Sequence, residues 1–321
     1  MMARQIVGID ISKATFDAAW RSQDAHGWQY FHGQQEPDAY QALLEASPSG
    51  AVFVMEATGI YALRLAHWLY AHGKKVMVVN PLVIKRFTQM RLIRAKTDRV
   101  DAQQIARYGE QAQGPFWRPR EVMFTELNQL DSWLDDLLRQ RTRVVNQHEA
   151  LGHCPDASAF ALEQQQALID YLSQQIMAVE KAMQALVEAC AGELYRRLLS
   201  IPGVGPKTAI RLIAVTEGFT RFTTVKQLVS YVGLSPHPYE SGTSIKGKGH
   251  LAKYGMGRMR QLLYLCSWTA KRCNPGCVVL YKRLKVQGKP ERVIKCAVAH
   301  KLVRQAYAIA TQGGMFEPEK A

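Results

Sequence analysis

The sequence predicts a mixed α/β domain, followed by a long helical hairpin and then by a mostly helical domain. Its 321 residues are about twice the length of a typical domain, so we expect more than one compact unit. Strand and helix patterns alternate over residues 1–120, leucines recur at helical spacing over 121–198, and the positive charge is concentrated in 199–321. These three ranges are the predicted domains.

The first predicted domain alternates between strands and helices. Its apolar runs predict strands, two of them covered on both faces, and its 3.6-residue periodicities predict helices. The predicted strands span residues 5–11, 15–20, 28–32, 51–57 and 74–81, and the predicted helices span 36–46, 59–73 and 98–108. A hairpin-like start followed by alternating strands and helices predicts a mixed sheet in an α/β layer fold.

The rest of the chain predicts helices. Residues 121–151 and 159–199 carry apolar side chains three or four positions apart in a background rich in Gln, Glu and Leu. This spacing predicts a long antiparallel helical hairpin or coiled coil, with its turn near residues 153–158. Further helices are predicted around residues 256–274 and 291–311, with a Gly- and Lys-rich loop before them.

Charge is distributed very unevenly along the chain. Residues 199–321 contain 20 Lys and Arg against 5 Asp and Glu, a net charge of +15, whereas the preceding residues are close to neutral. A polyanion is the expected partner of such a domain, because each neutralised phosphate releases condensed counterions. A ribosomal or membrane-surface protein would show a similar charge, so the charge indicates a partner class and not a reaction.

Two further observations concern the compartment. No run of about 20 uncharged apolar residues occurs, which excludes a membrane-spanning helix, and a predicted strand follows the N-terminus too closely for a signal peptide. The six cysteines are therefore expected to be reduced thiols. We expect a cytoplasmic, nucleoid-associated bacterial protein.

Four carboxylates occupy chemically significant places in the first domain. Asp10 lies within the first predicted strand, Glu56 ends another, and Asp98 and Asp101 are one helical turn apart. A single such acid is more often a helix cap or a surface charge. Strand-borne acids are costly to bury unless they are paired or bind a metal, and hard oxygen ligands suit Mg²⁺ or Mn²⁺ in phosphoryl transfer.

A strongly basic segment runs beside these acids, over residues 85–99. Its charge density predicts a loop with no role in the core, which would contact a phosphate backbone approaching the carboxylates. The six cations of this segment are Lys85, Arg86, Arg91, Arg94, Lys96 and Arg99.

Two motifs of the basic domain predict phosphate contacts. Residues 201–209 match a helix-hairpin-helix pattern. In this pattern, backbone N–H groups near Gly203, Gly205 and Lys207 would face a phosphate. The alternative is a plain tight turn between two helices. Residues 238–264 combine hydroxyls with glycines and cations, and such hydroxyls more often bind phosphate than attack it. The polar residues assigned here to nucleic acid or to chemistry are Ser241, Thr243, Ser244, Lys246, Lys248, Arg258 and Arg260.

A zinc site is a competing interpretation near the C-terminus. Its candidate ligands are Cys273, Cys277, Cys296 and His300, but both spacings are longer than the usual Cys-x₂-Cys and the first pair is interrupted by Asn-Pro-Gly. We expect core thiols instead.

Several of these motifs together resemble a known family. GIDISKATFD, MEATGIY and KTDRVDA resemble the N-terminal domain of the DEDD transposases of the insertion-sequence one-ten family, relatives of the Piv site-specific invertase. YESGTS, the following Gly-x-Gly run and the R-x-R-x-x-L helix resemble the family's transposase-20 domain. The resemblance implies a RuvC-like (RNase H-like) first domain. Its catalytic and metal-binding acids would be Asp10, Glu56, Asp98 and Asp101, and its nucleophilic serine would be Ser241.

The resemblance also implies an activity and partners. It implies a transposase or site-specific recombinase that cuts and rejoins DNA through a covalent phosphoserine, with Mg²⁺ or Mn²⁺ as cofactor. It further implies a structured bridge RNA that pairs with target and donor DNA, and homodimers that assemble into a homotetramer. The alternatives are a metal-dependent Holliday-junction-type nuclease that uses water, a Piv-like DNA invertase, and a non-enzymatic nucleic-acid-binding protein.

Overall fold

The chain forms two compact units, Met1–Arg120 and Glu121–Ala321. The computed structural model describes residues 5–22, 27–57, 59–93, 97–112, 114–237, 240–241, 245–246, 250–251 and 255–320. None of the helices in these ranges is long and apolar enough to cross a membrane. The predicted division into three domains stays a prediction.

A mixed five-stranded sheet forms the centre of the first unit. Its strand order is β3-β2-β1-β4-β5, with antiparallel pairing among the first three strands of the chain and parallel pairing of β1 with β4 and β4 with β5. The strands are β1 (Ile6–Ile11), β2 (Thr15–Arg21), β3 (Trp28–Gln34), β4 (Val52–Glu56) and β5 (Lys75–Val79). The predicted mixed sheet is confirmed, whereas its RuvC-like classification stays a prediction.

Helices cover both faces of this sheet, which explains why its central strands are largely apolar outside Asp10 and Glu56. The helices are α1 (Pro37–Ala46), α2 (Tyr61–Ala71), α3 (Pro81–Met90) and α4 (Asp98–Gln111). One core cluster joins Ile9 and Met55 to residues of α1 and α2. A second cluster on the opposite face joins Ile6 and Val54 to residues of α3 and α4.

Helix α3 corrects part of the predicted basic loop. Residues 85–90 are helical, and Ile84 and Phe87, one turn apart, are buried. Ile84 belongs to the cluster on the sheet, and the Phe87 ring packs edge-on against Tyr108 of α4. Asn80 caps the helix by accepting a hydrogen bond from the Leu82 N–H at 2.9 Å, and Pro81 occupies the first turn. The loop prediction was wrong here because it weighed charge density and overlooked the Asn-Pro start signal and the apolar pair.

Two long helices, α5 (Val122–Gly152) and α6 (Ala159–Leu199), open the second unit and pack along each other. Leu127, Leu134 and Leu137 of α5 and Leu172 of α6 belong to one buried cluster, so the predicted helical hairpin is present. Leu168 is 45% exposed, contrary to the predicted spacing. Whether the two helices supercoil stays a prediction.

The remainder of the second unit is mostly helical, as predicted. Its helices are α7 (Pro206–Thr216), α8 (Val225–Val232), α9 (Gly257–Cys273), α10 (Pro275–Val286) and α11 (Glu291–Gln312), followed by a 3₁₀ turn at Pro318–Lys320. Its two-residue strands are β6 (Pro236–His237), β7 (Glu240–Ser241), β8 (Ile245–Lys246) and β9 (His250–Leu251). Strand β6 pairs with β9, and β7 pairs with β8.

A buried ion-pair network attaches the hairpin to the C-terminal helices. Arg211 of α7, which is 4% exposed, donates from Nε to Asp131 and from Nη2 to Asp135, both at 2.6 Å. Arg258 of α9 reaches Asp135 at 2.7 Å. Because both acids lie on α5, removing the shared arginine would leave two carboxylates without their buried partner.

Candidate active site and nucleic-acid-binding residues

Neighbouring parallel strands carry the first two carboxylates. Ile9 of β1 pairs in register with Met55 of β4, so Asp10 and Glu56 are the next residues on each strand. Ile9 and Met55 point into the core beneath α1 and α2. Side chains alternate along a strand, so Asp10 and Glu56 face the opposite side, which α4 covers.

Close packing brings the start of α4 to this place. A Cβ atom added to Gly8 would lie only 2.7 Å from the Ala106 Cα, so α4 can rest directly on β1 because position 8 is a glycine. Asp98 and Asp101 occupy the first turn of α4, where the helix dipole favours negative charge. Thr97 caps this turn by accepting a hydrogen bond from the Val100 N–H at 3.3 Å.

The four carboxylates interact electrostatically. The pKa of Asp10 is raised from 3.8 to about 6, chiefly by burial and then by repulsion from Asp101, Asp98 and Glu56. The structure therefore brings together the four acids that were predicted separately on two strands and a helix.

This donor set fits a hard divalent cation. All four groups are carboxylates, and a cation among them would remove the repulsion that raises the pKa of Asp10. Among the described residues, no three such side chains already stand at ligand spacing. Coordination would therefore require the carboxylates to draw together around the ion.

One acid beside this group was missed in the sequence. Asp17 of β2 lies directly opposite Asp10, and its Oδ1 is 3.1 Å from the Nδ1 of His32 on β3. The alternation of residues 15–20 could have placed Asp17 on this face, had the register with β1 been known. In the register of the sheet, Asp17 stands opposite His32, which can pair with it. Asp10 has no basic residue opposite it on β2, because its partner in the register is Asp17.

Ser241 lies in a segment of the second unit that is bounded by one strand pair. Pro236 of β6 pairs with Leu251 of β9, and between them Ser241 of β7 pairs with Ile245 of β8. The backbone of Ser241 is thus held in a short hairpin. Thr243, Ser244 and Lys248 lie outside the described residues, as do the side chains of Ser241 and Lys246.

Comparison with known proteins covers most of the chain. A family model described as a transposase matches residues 7–151, and one described as a transposase of the IS116/IS110/IS902 family matches residues 195–282. The chain is 32% identical to the pilin gene-inverting protein of Moraxella lacunata, over 98% of both chains. The chain belongs to the IS110 family of transposases and DNA recombinases.

Two further relatives extend this result. The pilin gene-inverting protein of Moraxella bovis is 31% identical over 98% of both chains. The transposase for insertion sequence element IS1328 of Yersinia enterocolitica is 23% identical, over 97% of this chain and 98% of the relative. The resemblance to the insertion-sequence one-ten family is therefore confirmed. Members of this family are enzymes that act on DNA.

The turn between α6 and α7 has a packing role in this IS110-family chain. Gly203 has a φ of 100°, and a Cβ added there would lie 2.7 Å from the Cβ of Ala270 on α9. Gly205 is the N-cap of α7, and Lys207 in its first turn forms an exposed ion pair with Glu180 at 2.5 Å. A helix-hairpin-helix function of this turn stays a prediction.

The predicted nucleic-acid contacts differ in their surroundings. Lys85, Arg86 and Arg91 are exposed on α3 or at its end. By contrast, Arg258 pairs with Asp135, and Arg260 donates from Nη1 to the carbonyl of Gly233 at 3.2 Å. Arg94 and Lys96 lie outside the described residues. Contact of all these residues with nucleic acid stays a prediction.

The zinc interpretation gains no support. All six cysteines are free thiols, and no three potential ligands among the described residues are grouped as a metal site. Cys277 belongs to the hydrophobic core, and burial raises the pKa of its thiol to about 11. The expected core position was wrong for Cys273, which is exposed near the C-terminal end of α9. Burial also lowers the pKa of His300.

Proposed function

We propose that the protein is a site-specific DNA recombinase of the IS110 type, in which Ser241 becomes covalently linked to DNA and four carboxylates hold Mg²⁺ or Mn²⁺. The observation that carries this proposal is the placement of four acids in a chain of this family. Asp10 and Glu56 lie at neighbouring positions of paired strands, and Asp98 and Asp101 lie in the first turn of α4, which packs on β1.

The carboxylates contribute through their charge and position. Asp10 and Glu56 are placed by the rigid sheet, and Asp98 and Asp101 by the capped first turn of α4. A divalent cation held by these residues would activate an attacking oxygen and stabilise a leaving oxygen in phosphoryl transfer.

Ser241 would carry the covalent step. Its Oγ forms a bond to a DNA phosphorus, the backbone P–O bond breaks, and the departing deoxyribose oxygen takes up a proton. The hydroxyl of a second DNA end then displaces the serine by the reverse step. The phosphodiester is conserved throughout, so strands can be exchanged without ATP.

DNA inversion is a second candidate outcome of the same chemistry. The identity is higher with the two pilin gene-inverting proteins, at 32% and 31%, than with the IS1328 transposase, at 23%. A Piv-like invertase would use the same residues on two sites within one DNA molecule. A plasmid assay with two inverted sites separates inversion from insertion.

A guide RNA and assembly into homodimers and homotetramers complete the proposal. The net charge of +15 in residues 199–321 suits a polyanionic partner, RNA as well as DNA. Sequencing the RNA that co-purifies with the protein tests the guide. A structured RNA encoded beside the gene is the expected result.

The decisive experiment traps the covalent intermediate. Wild-type protein and its Ser241→Ala, Thr243→Ala and Asp98→Asn variants are incubated with labelled DNA and Mg²⁺, then separated on a denaturing gel. We expect the wild type to form an adduct that mass spectrometry maps to Ser241. The Ser241→Ala and Asp98→Asn variants should form no adduct, whereas Thr243→Ala should still form it. An adduct on Thr243 or Ser244 would contradict the assignment. Cleavage without any adduct in the wild type would favour the water-using nuclease.

A further inference from the structure

The second unit contains a cleft of about 940 Å³ on one face of α11. Val293, Ala297, His300 and Ala308 line it at helical spacing. Its walls come from α10 on one side and from the β6–β9 pair on the other. This size is sufficient to enclose an organic ligand as large as a nucleotide.

The cleft is positively charged. Arg283, Arg292, Lys301 and Arg304 line it, and no described residue that lines it is acidic. Within the described ranges, none of these four cations forms an ion pair. Four cations that line one cleft raise its positive potential, so an anionic occupant would be stabilised there.

The floor of the cleft is largely apolar. Leu280, Val293, Ala297 and Ala308 contribute aliphatic surface between the cations. Burial and Arg304 lower the pKa of His300, so its imidazole is neutral at neutral pH and can both donate and accept a hydrogen bond. A ligand that combines a phosphate with a flat, partly apolar group matches this lining better than inorganic phosphate does.

Chain topology connects the cleft to the predicted nucleophile. Pro236 and Leu251 line the cleft, and their pairing closes the base of the segment that carries Ser241. The cleft therefore adjoins the base of the segment that carries the predicted nucleophile.

We infer that this cleft binds an unpaired nucleotide segment of a DNA or RNA strand, with phosphates on the four cations and a base against the α11 floor. This inference rests on the proposed function. A duplex keeps its bases stacked inside and would contact the rim alone, whereas an unpaired strand can insert a base.

Cys296 provides a native reporter, because it lines the cleft and is half-buried. Cys154 and Cys190 are exposed on the α5–α6 hairpin and serve as internal controls. The full-length protein is alkylated with N-ethylmaleimide at mildly alkaline pH, and the rate at each cysteine is followed by mass spectrometry. Short single-stranded DNA, single-stranded RNA, duplex DNA and polyglutamate are compared, with binding monitored by fluorescence anisotropy.

We expect one of the single strands to slow alkylation of Cys296 by about tenfold, because at ~90% occupancy about a tenth of the clefts remain open. Cys154 and Cys190 should react at unchanged rates. Comparison of the DNA and RNA strands identifies which one the cleft takes.

An unchanged rate at Cys296 with the strand bound overturns the inference and leaves the proposed function standing. Equal protection by duplex DNA or by polyglutamate also overturns it. Absence of any nucleic-acid binding overturns both.

Paired variants separate the cleft from general charge. The change Arg283→Gln with Arg304→Gln removes two exposed cations of the cleft, whereas Lys282→Gln with Lys289→Gln removes two exposed cations outside it. The cleft pair should weaken single-strand binding by at least about tenfold and abolish protection of Cys296. The control pair should retain protection. Equal effects of the two pairs would show nonspecific attraction and overturn the inference.

Discussion

Replacing Asp10 by Asn removes a negative charge on β1 that lies close to three other carboxylates. The pKa of Asp10 is raised from 3.8 to about 6, so the folded state binds its proton more tightly than the unfolded chain does. The charged form of Asp10 therefore destabilises the folded wild-type protein. This destabilisation is absent below about pH 4, grows as the pH rises to about 6, and is complete above that pH. At about 1.4 kcal/mol per pH unit the upper limit is about 3 kcal/mol, which solvent screening reduces to about 1–2 kcal/mol.

Asp10→Asn should therefore stabilise the first unit by about 1–2 kcal/mol at neutral pH in the presence of a chelator, and by almost nothing near pH 4. The free energy of unfolding of the first unit is measured by urea unfolding with pulsed hydrogen exchange, followed on peptides from β1 and α4. Asp38→Asn on the surface of α1 is the matched control, with an expected effect within about 0.5 kcal/mol at either pH. Destabilisation by Asp10→Asn at neutral pH, or a pH-independent gain, would refute the electrostatic origin.

Three further predictions follow from the same structure. Asp98→Asn should abolish strand exchange while leaving nucleic-acid affinity nearly unchanged in a filter-binding assay, because the charge of residues 199–321 provides most of the binding. Gly8→Ala should cost about 1–3 kcal/mol in urea unfolding and also impair recombination, whereas Gly152→Ala, with open space around it, should do neither. Arg211→Ala should destabilise the second unit by about 3–5 kcal/mol, against less than about 0.5 kcal/mol for Arg139→Ala on the surface.

Local patterns in the sequence predicted most elements of the first unit. The strands that contain Asp10 and Glu56 are runs of apolar residues, and the helix that contains Asp98 has both a cap residue and a clear period. These signals depend on neighbours in the sequence, so they can be recognised without the fold. Helix α3 was missed because its cations dominate its composition, although Ile84 and Phe87 carry the helical signal.

Long-range relations could not be predicted in the same way. The adjacency of Asp10 and Glu56 depends on strand order, and the approach of Asp101 depends on the packing of α4 at Gly8. Asp131 and Asp135 resemble surface acids of a long helix until Arg211 is seen between them. The pairing of Arg258 with Asp135 likewise has no local signature.

Packing and electrostatics oppose each other in the first unit. Gly8 and Gly109 let α4 lie directly on β1 and β4, and the apolar contacts formed there favour the same placement that brings Asp101 towards Asp10. Each fully buried side chain such as Ile105 contributes about 1.5–3 kcal/mol. A few of them outweigh the cost of about 1–2 kcal/mol of keeping Asp10 charged, which comes chiefly from its burial and then from repulsion. The fold can therefore hold its carboxylates together before any cation binds. A divalent cation would then stabilise the first unit by relieving the repulsion, and this stabilisation should be lost in Asp10→Asn.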